Sequence, residues 1–164
     1  MILATHLGRP KGGVCEEYRL TPVQKRLSEL LGNTITKTDM CIGDDVDKKV
    51  KAMENGDVVL LENMRFNKGE TTNDPDFAKA LAALADLVVI DAFGTAHRSH
   101  ASNIGVLSFF KEKGYGFLIN KEIQYLKNEL ENPKKPLLFI IGGAKISTKI
   151  VLINSPNNPT GVIY

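Results

Sequence analysis

Two four-residue runs without a polar side chain, Val58-Val59-Leu60-Leu61 and Leu87-Val88-Val89-Ile90, constrain the fold of this chain more than any other feature. A strand with one face in water alternates apolar and polar residues. An unbroken apolar run of this length fits a strand covered on both faces, as in a parallel sheet flanked by helices. The segments around these runs have matching character. Thr21 and Pro22 supply an N-cap and a first-turn proline, Val23, Leu27, Leu30 and Leu31 share one helical face, and Gly32 stops the helix. Residues 44–54 predict a second helix with Val46, Val50 and Met53 on one side, ended by Asn55-Gly56. Asp74-Pro75 opens a third with Phe77, Ala78, Leu81 and Leu84-Ala85 inward. Residues 117–131 predict a fourth, with Ile119, Ile123, Leu126 and Leu130 in register and Asn132-Pro133 as its stop. Further strands are expected at Ile2-Leu3-Ala4, at 34–42 and at 137–141, with 68–74 as a polar loop. Strands and helices alternating at these lengths mean repeated βαβ units and a three-layer α/β/α fold with a mostly parallel sheet.

The totals agree with one globular unit. A chain of 164 residues, 43% hydrophobic and 24% charged, can bury one substantial core. Its 21 basic and 19 acidic residues nearly balance, giving a net charge of +2. Nucleic acid is therefore not an expected partner, and positive potential must be local. Cys15 and Cys41 are too few for a disulfide scaffold and lack metal-ligand spacing with the three histidines, so they read as reduced thiols of a cytoplasmic protein. No stretch approaches the roughly 18 apolar residues of a membrane span, and Met1-Ile2-Leu3-Ala4-Thr5 lacks the charged head of a secretory signal.

Function is suggested where apolar runs give way to loops. His6-Leu7-Gly8-Arg9-Pro10, Glu62-Asn63-Met64-Arg65-Phe66 and Asp91-Ala92-Phe93-Gly94-Thr95-Ala96-His97-Arg98 each deliver an arginine just past a predicted strand. Parallel neighbours in an open sheet bring their carboxyl ends to one crevice. Guanidinium groups gathered there suit a small ligand bearing phosphate and carboxylate, because the planar fork pairs two oxygens at once. Glu62, Asn63 and Asp91 are expected to orient the arginines or cap loops. Gly142-Gly143-Ala144-Lys145 is not a Walker loop, since it lacks the Gly-Lys-Ser/Thr ending.

These segments, with DAFGTAHRSHAS and Gly142-Gly143-Ala144-Lys145 in the same order, resemble phosphoglycerate kinase from about Ile2 through Ile153. The resemblance implies an incomplete Rossmann-like substrate domain of a two-domain glycolytic enzyme. That enzyme passes a phosphoryl group between 1,3-bisphosphoglycerate and ADP, giving 3-phosphoglycerate and ATP. It implies that His6, Arg9, Arg65 and Arg98 grip the triose phosphate, and that Arg98, Lys145 and Lys149 serve catalysis. Mg-ATP or Mg-ADP belongs to the full-length family, and no cofactor is expected in this chain. Phosphoryl transfer of this kind needs positioning and charge neutralisation more than covalent chemistry.

The resemblance also implies what is missing. Full-length members begin with a further strand, central in the sheet, that gives an aspartate and an asparagine to the substrate. They continue into a nucleotide domain of which only 134–153 would be present here, after a substrate-domain region and interdomain helix at 1–133. A rearranged strand order is one consequence, with 137–141 filling the central position. Pairing of exposed sheet edges between copies is another. Residues 154–164 read as a foreign tail resembling the NPTG segment of fold-type I aminotransferases, with Asn158 matching the residue that meets pyridoxal phosphate. Three readings stay open: a phosphoglycerate kinase piece, inactive alone, with a residual 3-phosphoglycerate or 1,3-bisphosphoglycerate site; an engineered or recombined α/β chimera with no ligand; and a pyridoxal-phosphate protein.

Overall fold

A computed structural model describes residues 1–133 of the chain. Three strands, β1 (Ile2–Leu3), β2 (Thr36–Lys37) and β3 (Val59–Leu60), form one parallel sheet in the order β1-β3-β2. A second parallel pair joins β4 (Leu87–Ile90) to β5 (Glu112–Tyr115). Helices α1 (Thr21–Leu31), α2 (Asp44–Lys51), α3 (Lys68–Thr72) and α4 (Pro75–Ala82) connect and cover them, and α5 (Phe117–Glu131) follows. Among the described residues, Met1–Phe117 form one compact unit, and the residues from Leu118 onward belong to a second.

The apolar run at β3 does what a doubly covered strand requires. Successive side chains point to opposite faces. Val59 and Leu61 enter one core with Val46, Met64, Phe77, Ala78 and Leu81, while Leu60 enters another with Leu20 and Ile35, against which Leu3 and Leu27 pack. Helices therefore lie on both faces of the strand, which makes the three layers. α4 starts as its sequence demands: Asp74 accepts from the Phe77 amide at 2.8 Å and Pro75 occupies the first turn.

Several expectations require correction. The strand expected over 34–42 shrinks to β2, because the Thr38 hydroxyl donates to Met40 O at 2.6 Å and accepts from the Glu62 amide, turning the chain out of the sheet. The expected polar loop at 68–74 contains α3, capped by Asn67, whose side chain accepts from the Gly69 amide at 2.8 Å. Strand β5 was not expected at all, since Glu-Lys-Gly-Tyr carries no apolar pattern. The apolar face of α1 is only partly used: Leu27 packs inward, whereas Val23, Leu30 and Leu31 are exposed. In α5, Ile119 is buried and Ile123 and Leu126 are exposed, and Leu130 lies outside the described side chains. The mostly parallel sheet is present in two parts, β1-β3-β2 and β4-β5, with no hydrogen bonds between β1 and β4 among the described residues. The proposed substitute strand at 137–141 lies outside the described residues.

Candidate functional site

The loop after β1 carries His6 and Arg9, and its path depends on glycine. Gly8 has φ +64°, and a Cβ there would sit 2.5 Å from the Tyr18 ring. Any side chain would meet both the left-handed strain and that ring. The loop after β3 is fastened to it by one residue. Asn63, fully buried, donates through Nδ2 to Leu7 O at 2.7 Å and to Tyr18 O at 3.0 Å, and accepts from the Arg65 amide at 3.1 Å. Arg65 adds a bond from Nη1 to Gly8 O at 2.8 Å. Its Nε is buried with no hydrogen-bond partner.

Beneath this pair lies Glu62, also fully buried. Its Oε1 accepts from the amides of Leu20 and Asn63, each at 2.9 Å, and its Oε2 from Lys37 at 2.9 Å and Arg19 at 3.2 Å. Burial pushes this carboxyl up, but the Lys37 bond, the two amides and the Lys37 charge outweigh it and hold it below the usual carboxylate range. Cys41 is packed nearby, its thiol donating to the carbonyls of Glu62 and Asn63. Burial, then the charges of Glu62 and Glu70, push that thiol up to about 12, so it is inert rather than nucleophilic.

The third loop, after β4, makes a 3-10 turn at Phe93–Thr95, and the Arg98 amide donates to Thr95 O at 2.9 Å. Its anchor is Glu70 of α3, a residue the sequence did not mark. The Glu70 backbone carbonyl accepts from the Ala101 amide, and its carboxylate accepts from Ser102 N at 3.0 Å and Ser102 Oγ at 2.7 Å. His100 Nδ1 lies 3.4 Å from the same carboxylate. Glu70 was hidden because α3 was hidden: a lone glutamate in a polar stretch has no signature of burial.

These anchors bring the expected arginines into one electrostatic neighbourhood. Burial, then the charges of Arg98 and Arg9, lower the pKa of Arg65, with Glu70 opposing. Burial, then Arg65, lowers that of His6, where His100 and Arg98 add to the effect and Glu70 again opposes. The guanidiniums of Arg9 and Arg98 are exposed and make no hydrogen bond or ion pair with any described residue. Positive charge gathered in this way attracts anions. A hollow of about 260 Å³ beside them is lined by Thr5, His6, Glu70, Thr95, His100 and Asn103, among others. The three arginines do not line it, and His6 is the residue shared by hollow and patch. His97 is exposed on the same loop as Arg98. Lys145 and Lys149 lie outside the described residues. Among the described residues no group of three or more His, Cys, Asp and Glu side chains could hold a metal ion, and no helix is long and apolar enough to cross a membrane.

Comparison with known proteins gives the site a context. Residues 1–158 match the family model described as phosphoglycerate kinase. The chain is 57% identical over 155 residues to the chloroplastic phosphoglycerate kinase of Chlamydomonas reinhardtii, covering 94% of this chain and 34% of that protein. It is 59% identical over 155 residues to the phosphoglycerate kinase of a Nostoc species, covering 94% and 38%. Among solved structures, phosphoglycerate kinase from Coxiella burnetii superposes with a TM-score of 0.71 at 40% identity, over 82% of this chain and 33% of that one. The Pyrococcus horikoshii enzyme gives 0.74 at 32% identity, over 88% and 36%. The chain thus spans little more than a third of the length of these relatives. The family match runs through Asn158, five residues into the stretch read as an aminotransferase-like tail, and nothing in the comparisons supports that tail.

Proposed function

Because this chain belongs to the phosphoglycerate kinase family, we propose that its basic patch is the grip for the acidic triose, 3-phosphoglycerate or 1,3-bisphosphoglycerate. In this reading His6, Arg9, Arg65 and Arg98 bind the substrate. The observation that carries the proposal is Arg65, held by Asn63 and Gly8 and close enough to the exposed guanidiniums of Arg9 and Arg98 for their charges to lower its pKa. A ligand with a phosphate at one end and a carboxylate at the other would pair with separate arginines of such a cluster. Each bidentate pair is stronger than a neutral hydrogen bond because the donor is charged. The chemistry these residues can contribute is positional: they fix the anion, neutralise its charge and, through His6, hold a proton near it.

Arg98 is the arginine we assign to the transferring group as well as to binding, with Lys145 and Lys149 completing the catalytic set. Magnesium-bound nucleotide would bring charge neutralisation of the phosphates in the whole protein. The described residues offer no cluster to hold that metal, so no step is assigned to it here. The chain is therefore expected to bind the triose through this patch.

The test is a titration of the full chain with 3-phosphoglycerate, following the arginine side-chain signals by NMR. Saturable shifts at Arg9, Arg65 and Arg98, larger than those given by equal concentrations of sulfate, are expected. An absence of saturation at all three arginines would leave an α/β fold without a ligand.

A further inference from the structure

The turn that leads into β3 holds Asn55-Gly56, the one Asn-Gly pair in the sequence. Its ends are tied: the Asp57 amide donates to Glu54 O at 3.1 Å, and the Glu54 amide donates to Asp57 Oδ2 at 2.9 Å. Its middle is bare. Asn55 and Gly56 are exposed, and among the described residues no hydrogen bond is made by the Asn55 side chain or by the peptide group that joins the two residues. Gly56 has φ +99°, and no neighbouring group lies within 4 Å of the place a Cβ would take.

Those features favour a reaction inside the chain itself. Joining Asn55 Cγ to the Gly56 nitrogen closes a small, unstrained ring through Cβ, Cα and the main-chain carbonyl carbon of Asn55. Reaching that geometry takes rotation about Asn55 χ1 and ψ, and the ψ rotation turns the whole peptide plane between the residues. A plane whose N–H and C=O are paired resists turning, since each lost hydrogen bond has a cost. This plane has none to break. The same rotation is taken up by Gly56 φ, and glycine accepts either sign of φ without a Cβ clash. With only hydrogen on its Cα, Gly56 also leaves its nitrogen open to approach. Other asparagines lack this freedom: Asn63 and Asn103 are buried and donate through Nδ2 to backbone carbonyls, and Asn67 accepts from the Gly69 amide.

We propose that Asn55 is a site of spontaneous deamidation. The Gly56 nitrogen, having lost its proton to hydroxide from solvent, attacks Asn55 Cγ and forms the Cγ–N bond. The Cγ–Nδ2 bond breaks, and Nδ2 takes a proton from water and leaves as ammonia, so a cyclic imide remains. Water then adds to one imide carbonyl, and the bond from that carbonyl to nitrogen breaks. Opening at Cγ gives aspartate. Opening at the main-chain carbonyl gives isoaspartate, in which the chain runs through the former side chain. In sum, water is consumed and ammonia released, with no change of oxidation state. Both products place a carboxylate between those of Glu54 and Asp57. Isoaspartate also adds a methylene to the main chain inside the turn, just ahead of Val58, whose carbonyl accepts from the Thr36 amide at 3.2 Å. The inference does not depend on which anion the arginines bind.

The test compares the full chain with a synthetic peptide covering residues 50–60, both kept at physiological temperature in mildly alkaline buffer. Peptide mapping by mass spectrometry, with fragmentation that separates aspartate from isoaspartate, follows each asparagine over time. Asn55 of the folded chain is expected to convert at a rate within about tenfold of the peptide, because a turn with an unpaired peptide plane has little local stability to overcome. Both products should appear, and the rate should rise with pH. Asn63, Asn67 and Asn103 should convert at least about tenfold more slowly than Asn55. Asn55→Gln, whose longer side chain disfavours the ring, should remove the change and leave the circular dichroism spectrum as it was. A folded-state rate more than about tenfold below that of the peptide, recovered in urea, would overturn the inference by showing that the turn holds the reacting atoms apart. Aspartate formed without isoaspartate would overturn it too, since that product comes from direct hydrolysis.

Discussion

Replacing Glu62 by glutamine tests the frame of the anion site most directly, because shape is kept and charge is removed. The one oxygen left on the Glu62→Gln side chain can still accept from the amides of Leu20 and Asn63. The other position becomes an NH₂ group, a donor turned toward Lys37 and Arg19. These two cations fare differently. Arg19 keeps Glu16, which holds its Nε at 2.8 Å at the surface. Lys37, whose side chain is 11% exposed, has otherwise only the carbonyl of Thr38 at 2.9 Å and Asp39 at 3.7 Å. The loss therefore falls on Lys37. Breaking a buried pair by removing one partner costs about 3–5 kcal/mol. With partial relief from Thr38 and Asp39, about 3 kcal/mol is expected, a large share of a total near 5–15 kcal/mol. Urea unfolding followed by circular dichroism at pH 7 measures it.

The pH dependence provides the sharper check. Glu62 has a folded pKa below its usual value of 4.5. Its contribution is thus fully present above that value and is lost as pH falls through the lower folded pKa. The gap between wild type and Glu62→Gln should stay constant from pH 7 to about 5 and close in stronger acid. A gap under about 1 kcal/mol at pH 7, or one unchanged on acidification, would refute the assignment of Glu62 as the ionised hub.

Arg98→Ala removes an exposed cation without a partner, so unfolding stability should change by under about 0.5 kcal/mol, while 3-phosphoglycerate affinity drops at least about tenfold by calorimetry. His6 has a lowered pKa, so the free fold is destabilised as pH drops below the ordinary histidine value of 6.5. A bound anion favours the protonated ring, so affinity should rise over the same interval and His6→Asn should flatten the rise; a pH-independent affinity in wild type would remove His6 from the site. Toward a thiol reagent such as Ellman's reagent, native protein should react promptly at Cys15 and only on unfolding at Cys41, whose thiol is pushed up to about 12. Glu70→Ala strips Ser102 of two hydrogen bonds and should loosen the Arg98 loop, seen as faster amide exchange at Ala101 and Ser102 with β3 unaffected.

The sequence made the doubly covered strand and the strand-end arginines readable because both leave a local trace: four apolar residues in a row, or a cation just past them. It marked Gly8-Arg9 and Asn63-Met64-Arg65 for the same reason. What it hid depended on partners distant in the chain. Glu70 looks like any surface glutamate until Ser102 is brought to it, 32 residues away. Strand β5 exists because β4 offers it an edge, which outweighs the weak strand propensity of Glu-Lys-Gly-Tyr. The exposure of Leu30 and Leu31 shows the opposite failure: a clear amphipathic face guarantees an apolar stripe, and nothing in the stripe says whether a neighbour covers it.

The three arginine-bearing loops are braced to one another by buried side chains. The first and second loops are joined through Asn63 and Arg65, on the β3 side of β1. The third loop is held by Glu70, which belongs to the helix that follows the second loop. A path of hydrogen bonds therefore links the Arg9 loop, through Asn63, Asn67 and Glu70, to the Arg98 loop.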